Sequence, residues 1–180
     1  MLVGNLIRLR HYTDEDASAV LEYQVKNRKF FSPYLPEPPE SSYTLEQQQK
    51  VIAKWAEEQQ QDKRYTFGIY LKDSGRLVGD ISLFEVARGP RQSAILGYSL
   101  DQDHNGRGYM REAVSLVIRY GFKELGLHRL EAGAKPDNSG SIRTLQKSGF
   151  RQEGIARKFL LLNGQWEDHV TFSLVAEDLE

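Results

Sequence analysis

Gly97-Tyr-Ser-Leu-Asp-Gln-Asp-His-Asn-Gly-Arg-Gly-Tyr-Met-Arg-Glu112 is the stretch whose reading decides the fold. An alternating run ending at Leu100 reads as a strand, and Met110, Ala113, Val114, Val117, Ile118 and Phe122 recur at helical spacing. Between them lies Gly106-Arg107-Gly108. A glycine loop between a strand and a helix N-terminus presents successive backbone amides, and those amides suit an anion such as a phosphate. Taken alone the pair of glycines also reads as an ordinary tight turn. A P-loop is excluded, because Tyr109 follows Gly108 where lysine is required. A dinucleotide fingerprint is excluded, because Arg111 stands where its third glycine belongs. Asp101, Asp103, Asn105, Gly106 and Glu112 match the calcium-loop pattern in full. That reading fails on context: a calcium loop needs a helix on both sides, the residues before this one read as strand, and there is no second copy.

Outward from the loop, the segments alternate. Leu6 to His11 reads as a first strand, and Thr13 with Asp16 as a helix start ahead of Ala17, Val20, Leu21 and Val25. Phe30-Phe-Ser-Pro-Tyr-Leu-Pro-Glu-Pro-Pro39 is expected to be loop, since its prolines lack donors and constrain their predecessors. Thr44 and Gln47 form a capping box for a second helix through Gln59. Strands follow at Tyr65–Leu71, Leu77–Val86 and Ser93–Leu100. The third helix ends at Gly126, His128–Ala134 is a strand, and Asn138–Ser148 is a fourth helix. Two closing strands, around Phe159–Leu162 and Glu167–Val175, join at Asn163-Gly164. The order β-α-α-β-β-β-α-β-α-β-β predicts a layered α/β or α+β sheet.

The 180 residues suit a single domain. With no cysteine, the chain has no disulfide, thiolate zinc site or cysteine nucleophile. The four histidines show no metal spacing, and no metal is expected. A net charge of −1 gives no general attraction to nucleic acid or to an anionic membrane. No membrane span and no signal peptide are read from the sequence, which places the protein in the cytoplasm.

Four segments resemble the GNAT superfamily of N-acetyltransferases, and within it the RimJ/RimL group that acetylates protein N-termini, including those of ribosomal proteins. They are Leu96-Gly-Tyr-Ser-Leu100, His104 to Ala113, Asn138-Ser-Gly-Ser141 through Lys147-Ser-Gly-Phe150, and Glu153-Gly154 through Gly164-Gln-Trp-Glu-Asp-His-Val170. Asn27-Arg-Lys-Phe-Phe31 and Arg88-Gly89 are similar to the alanine-directed RimJ branch.

The resemblance implies a mixed sheet of about seven strands flanked by four helices, with two strands splayed near Tyr98–Leu100. It implies acetyl-CoA as cofactor. The diphosphate would lie on the amides of the loop formed by Asn105, Gly106, Arg107, Gly108, Tyr109, Met110 and Arg111. The pantetheine arm would pair with main-chain groups near Tyr98 and Leu100. Asn138 and Ser141 would sit by the sulfur, with Ser141 as the acid. Two departures stand out: Asp103 occupies a position often held by Arg or Gln and is expected to point away, and Ile95 replaces a glutamate that many relatives carry.

Direct acyl transfer needs a neutral amine, a stabilised carbonyl oxygen and a protonated thiolate. An amide near Leu100 is the candidate for polarising the carbonyl, and Glu85, near a strand end, for the base. Asn and Ser at a helix start also act simply as caps, and Glu85 also reads as a solvated carboxylate. Asp168 and His169, in the closing hairpin, read as structural rather than basic. Phe30, Phe31 and Tyr34 would line the acceptor entrance, or else pack on the sheet. Glu37 and Glu40 would draw a basic N-terminus. A protein N-terminus is the expected acceptor. A small amine and non-catalytic acyl-CoA binding are the alternatives.

Overall fold

The computed structural model describes residues 1–179. One eight-stranded sheet runs in the order β1-β2-β3-β4-β5-β6-β8-β7. The strands are β1 (Leu2–Val3), β2 (Ile7–Arg10), β3 (Arg64–Leu71), β4 (Leu77–Ala87), β5 (Ser93–Leu100), β6 (Arg129–Ala134), β7 (Arg151–Leu162) and β8 (Gln165–Val175). The helices are α1 (Ala17–Phe31), α2 (Leu45–Gln60), α3 (Tyr109–Arg119) and α4 (Ser139–Lys147). All pairings are antiparallel except β5 with β6.

The two faces of the sheet are packed differently. Ile7, Leu9, Phe67, Ile69, Ile81, Leu83, Leu96 and Leu130 form one core with Val114, Val117 and Leu145 of α3 and α4. Each such side chain contributes about 1.5–3 kcal/mol by leaving water. A smaller cluster, Val20, Tyr23, Ile52 and Tyr70 with Phe31 and Trp55 beside it, seats α1 and α2.

The expected elements are present, with some differences. Short β1 brings the strands to eight rather than about seven; two residues carry too little periodicity to be read. Helix α1 continues through Phe30 and Phe31, which the sequence placed in the loop. Even Ser32, directly before Pro33, keeps helical angles (φ −51°, ψ −40°), so the helix runs up to the first proline instead of stopping short of Phe30. Strand β7 starts at Arg151, well ahead of the expected Phe159, while β8 starts at Gln165, close to the expected Glu167, and the two join at the Asn163-Gly164 turn, where both φ angles are positive. Helix α3 passes into a wider turn over Tyr120–Glu124 before Gly126, at φ 64°, reverses the chain.

Candidate active site

The parallel pairing of β5 with β6 stops early. Ser93, Ala94 and Ile95 pair with Arg129, Leu130 and Glu131, and Leu96–Leu100 then has no partner on that side. The Asp101 amide donates to Val78 on the β4 side at 2.7 Å. Alternation along the strand therefore turns the main-chain groups of Tyr98 and Leu100 into the gap. The gap is a slot through the sheet with strand backbone along its edge.

The glycine loop lies at the end of this slot. Gly106 and Gly108 have φ of 75° and 83°, and open space surrounds both Cα positions. Gly108 is the N-cap of α3 and has no side chain to satisfy the first turn. Among the described residues, the amides from Arg107 to Arg111 find no acceptor within the chain. Arg107 and Arg111 are exposed beside them. Open amides, a helix N-terminus and two guanidinium groups together form an anion site. The Asn105 side chain donates to the Asp101 and Gln102 carbonyls at 3.3 and 3.4 Å, and this shapes the loop. Tyr109 is half-buried and Met110 is buried in the core, which anchors the helix start.

The acidic residues of the calcium-like pattern are drawn apart. Lys26 of α1 lies 2.8 Å from Asp101 and 2.7 Å from Asp103. Glu112 turns the other way and accepts from the amides of Asn5, Leu6 and Ile7. An ammonium group thus occupies the acidic end of the loop, and Asp103 is neutralised by it.

On the α3/α4 face of the slot, the Tyr98 hydroxyl is 2.9 Å from Ser141 Oγ. Asn138 Oδ1 accepts from the Ser141 amide at 3.2 Å. Asn138 is thus the cap of α4, which frees the Ser141 hydroxyl to meet Tyr98. Burial pushes the Tyr98 hydroxyl up to about 12, against a smaller opposing pull from its bond to Ser141.

On the opposite face, under α1, a cavity of about 140 Å³ is walled by Tyr23, Phe31, Leu35, Pro36, Pro38 and Tyr43, with Asp80 and Ser99 among its lining residues. Ser99 donates to Asp80 Oδ1 at 2.7 Å, and the Tyr23 hydroxyl is 2.7 Å from Ser99 Oγ. Arg28 binds Glu37 and Glu40, both at 2.7 Å, and holds the proline-rich loop over the cavity. Buried Asn27 joins α1 to the residues after β5, accepting from the Gln102 amide at 3.0 Å.

The residues singled out from the sequence divide accordingly. Tyr98, Leu100, Asn138, Ser141 and the glycine loop come together around the slot. Phe31 lines the cavity, Phe30 is exposed beside it, and Tyr34 faces Lys135 instead. Glu85 does not join them. It is exposed at a bulge with φ 50°, across from the start of β5 and away from the slot. Asp168 accepts from the Lys158 amide at 2.9 Å and supports a bulge in β7, while His169 is buried in the hairpin. Asp80, which sequence reasoning passed over, is a carboxylate that the fold brings to the lining of the cavity, one strand away from the slot.

A family model described as "Acetyltransferase (GNAT) domain" matches residues 7–151. The chain belongs to the GNAT acetyltransferase family. It is 46% identical over 180 residues to the probable N-acetyltransferase YjcK of Bacillus subtilis, covering 100% of this chain and 99% of that protein. It is 34% identical over 173 residues to the [ribosomal protein uS5]-alanine N-acetyltransferase of Escherichia coli, covering 96% of this chain and 88% of that one. Mycobacterium smegmatis RimJ, solved in complex with CoA-disulfide, superposes with a TM-score of 0.92 at 26% identity, covering 96% and 83% of the two chains. As a GNAT acetyltransferase the protein is an acyltransferase that uses acetyl-CoA. Among the described residues, no helix is long and apolar enough to cross a membrane.

Proposed function

We propose that this enzyme moves the acetyl group of acetyl-CoA to the α-amino group of a protein N-terminus that begins with a small residue, a ribosomal protein being the leading candidate. The cavity under the proline-rich loop carries the reading. At about 140 Å³ it has room for an apolar first side chain, and apolar and aromatic groups form most of its walls. The likeness to the uS5-alanine enzyme supports the same class of acceptor.

Acetyl-CoA supplies an activated acyl thioester. In this reading the open amides of Arg107 to Arg111 hold its diphosphate, with Gly106 and Gly108 allowing close approach and Arg107 and Arg111 adding charge. The exposed strand edge at Tyr98 and Leu100 pairs with the pantetheine arm. In the same reading the Leu100 amide polarises the thioester carbonyl. Ser141, backed by Tyr98 and fixed by Asn138, donates the proton that the sulfur needs as it leaves. Phe31 borders the acceptor, while Phe30, on the last turn of α1, and Tyr34, in the loop, lie outside the cavity lining. Glu37 and Glu40 are engaged by Arg28, so they shape the cavity rim more than they attract a basic peptide.

The test is transfer of labelled acetyl to synthetic ribosomal N-terminal peptides starting with alanine, set beside the same peptides starting with leucine and a panel of small free amines. Turnover confined to the alanine peptides supports the reading. Turnover confined to free amines replaces it with a small-molecule acetyltransferase.

A further inference from the structure

We infer that Asp80 is the general base of the transfer, receiving the acceptor amine in the cavity under α1 and taking a proton from its nitrogen. The inference rests on the placement of the acceptor in that cavity. It adds the residue that makes the nitrogen nucleophilic.

Position comes first. Asp80 is the sheet partner of Ser99, the residue between the two whose main-chain groups face the slot. It therefore lies one strand away from the slot, on the face opposite the Tyr98–Ser141 pair. An amine in the cavity and a proton donor at Ser141 would approach the slot from opposite sides.

Charge comes second. Asp80 lies half-buried on the cavity lining. Burial raises its proton affinity, and the Ser99 hydroxyl and amide offset this only in part. Arg64 is the only cation among the described residues whose charge acts on it appreciably, and Arg64 is already paired with Glu58 at 3.0 Å. At the cavity rim, Arg28 is held by Glu37 and Glu40. The other ionisable groups near Asp80 are Tyr23 of α1 and Tyr12 ahead of it, both pushed well up and neutral. A carboxylate without a dedicated counter-ion, on the wall of a cavity, is matched by an incoming ammonium. Ser99 and Tyr23 fix its orientation at 2.7 Å each along the chain of hydroxyls.

The chemistry balances. An α-amino group, with a pKa of about 8, is mostly ammonium at neutral pH and cannot attack. Asp80 takes one proton from it. The freed lone pair forms the C–N bond, the C–S bond breaks, and the sulfur leaves as a thiol with a proton from Ser141. The second proton shed by the nitrogen returns through solvent to Ser141, and Asp80 releases its own to water. The net products are the amide, the thiol and one proton.

The experiment compares wild type, Asp80→Asn and Asp80→Glu, with an alanine-initiated heptapeptide and with benzylamine as acceptors. Calorimetric binding of acetyl-CoA serves as the control for folding and for the cofactor site. The expected result for Asp80→Asn is a fall in kcat/KM of about 100-fold at pH 7, the usual scale of lost general-base catalysis. Acetyl-CoA affinity stays within twofold. With the peptide, the deficit shrinks as the pH rises toward 9, where its α-amino group is mostly neutral, and with benzylamine it shrinks only at still higher pH; Asp80→Glu recovers part of the rate. Asp80→Asn with wild-type kinetics at pH 7 overturns the inference. So does a rate loss that tracks lost acetyl-CoA affinity and shows no recovery at high pH, because that outcome assigns Asp80 to the fold. Wild-type transfer to benzylamine but not to the peptide overturns the acceptor reading alone, and benzylamine then carries the Asp80 test. An enzyme that transfers to neither overturns both.

Discussion

The Tyr98 hydroxyl lies 2.9 Å from Ser141 Oγ, across the boundary between the splayed strand β5 and the first turn of α4. When Tyr98 donates, the serine's own hydrogen is free to point into the slot, and the tyrosine steadies the oxygen as that hydrogen is lost. The tyrosine remains protonated through neutral pH, since burial holds its ionisation near about 12. Ser141→Ala is expected to lower kcat by about 100-fold, and Tyr98→Phe by about 10-fold, with acetyl-CoA binding retained in both. Because the two groups act as one unit, the double variant is expected to resemble Ser141→Ala alone. Strictly multiplicative losses in the double variant would show that the pair does not cooperate.

The glycine loop yields a prediction with an internal control. Gly106, at φ 75°, and Gly75 of the β3–β4 turn, at φ 71°, share a positive φ of nearly the same size, and neither has a neighbour that a Cβ would strike. Alanine at either site is expected to cost a similar amount, about 1 kcal/mol of strain. Only the loop change touches the anion site. Gly106→Asp, which adds a carboxylate to the amide cradle, is expected to weaken acetyl-CoA binding by more than tenfold in calorimetry. Gly75→Ala is expected to leave binding unchanged while shifting the melting temperature as much as Gly106→Ala does. Equal acetyl-CoA affinity in Gly106→Asp and wild type would remove the diphosphate from this loop.

These two sites were not equally legible in the sequence. The glycine loop was, because left-handed backbone ahead of a helix demands particular residue types. Asn138 was legible as a cap for the same kind of local reason. Asp80 was not. In Val78-Gly79-Asp80-Ile81-Ser82-Leu83 the polar residues alternate with apolar ones, which reads as the wet face of a strand. That face is covered by α1, a fact of tertiary packing that periodicity does not record. Glu85 attracted the role of base for the converse reason: it sits close by in sequence, yet five residues of extended strand separate it from Asp80 by about 17 Å. The splay between β5 and β6 was legible only through family likeness, since nothing local in Leu96–Leu100 announces that pairing stops.

Glu112 gives a test that separates stability from cofactor binding. Its carboxylate gathers the amides of Asn5, Leu6 and Ile7, tying α3 to the connection between β1 and β2. Removing it leaves those donors without their charged acceptor. Glu112→Ala is expected to destabilise the protein by about 1.5–3 kcal/mol in urea unfolding, the range for hydrogen bonds to a charged group. Acetyl-CoA affinity is expected to stay within twofold, and added calcium to leave the melting temperature of wild type unchanged. A calcium-dependent rise in that temperature would restore a metal role to the loop.

Asp16 makes stability depend on acid. Burial alone would raise its proton affinity, but the Arg10 guanidinium, bonded to both carboxylate oxygens at 2.7 Å, the Thr13 amide and the Tyr70 hydroxyl outweigh it and bring its pKa down to about 2. The folded value lies below the unfolded one, so the ionised carboxylate favours the folded state. Its contribution is fully present above about pH 4 and is lost as the pH falls through about 2. A shift of this size corresponds to about 2 kcal/mol, and the Asp16 side chain is only 9% exposed, so solvent screening removes little of it. Asp16→Asn is expected to lower stability by about this amount at pH 7, and to flatten the part of the wild-type stability curve that falls between about pH 4 and 2. Urea midpoints collected across that range for both proteins measure the effect. Parallel curves, displaced but equal in slope, would mean that the Arg10 pairing is preserved in the unfolded chain or that its charge is matched elsewhere in the fold.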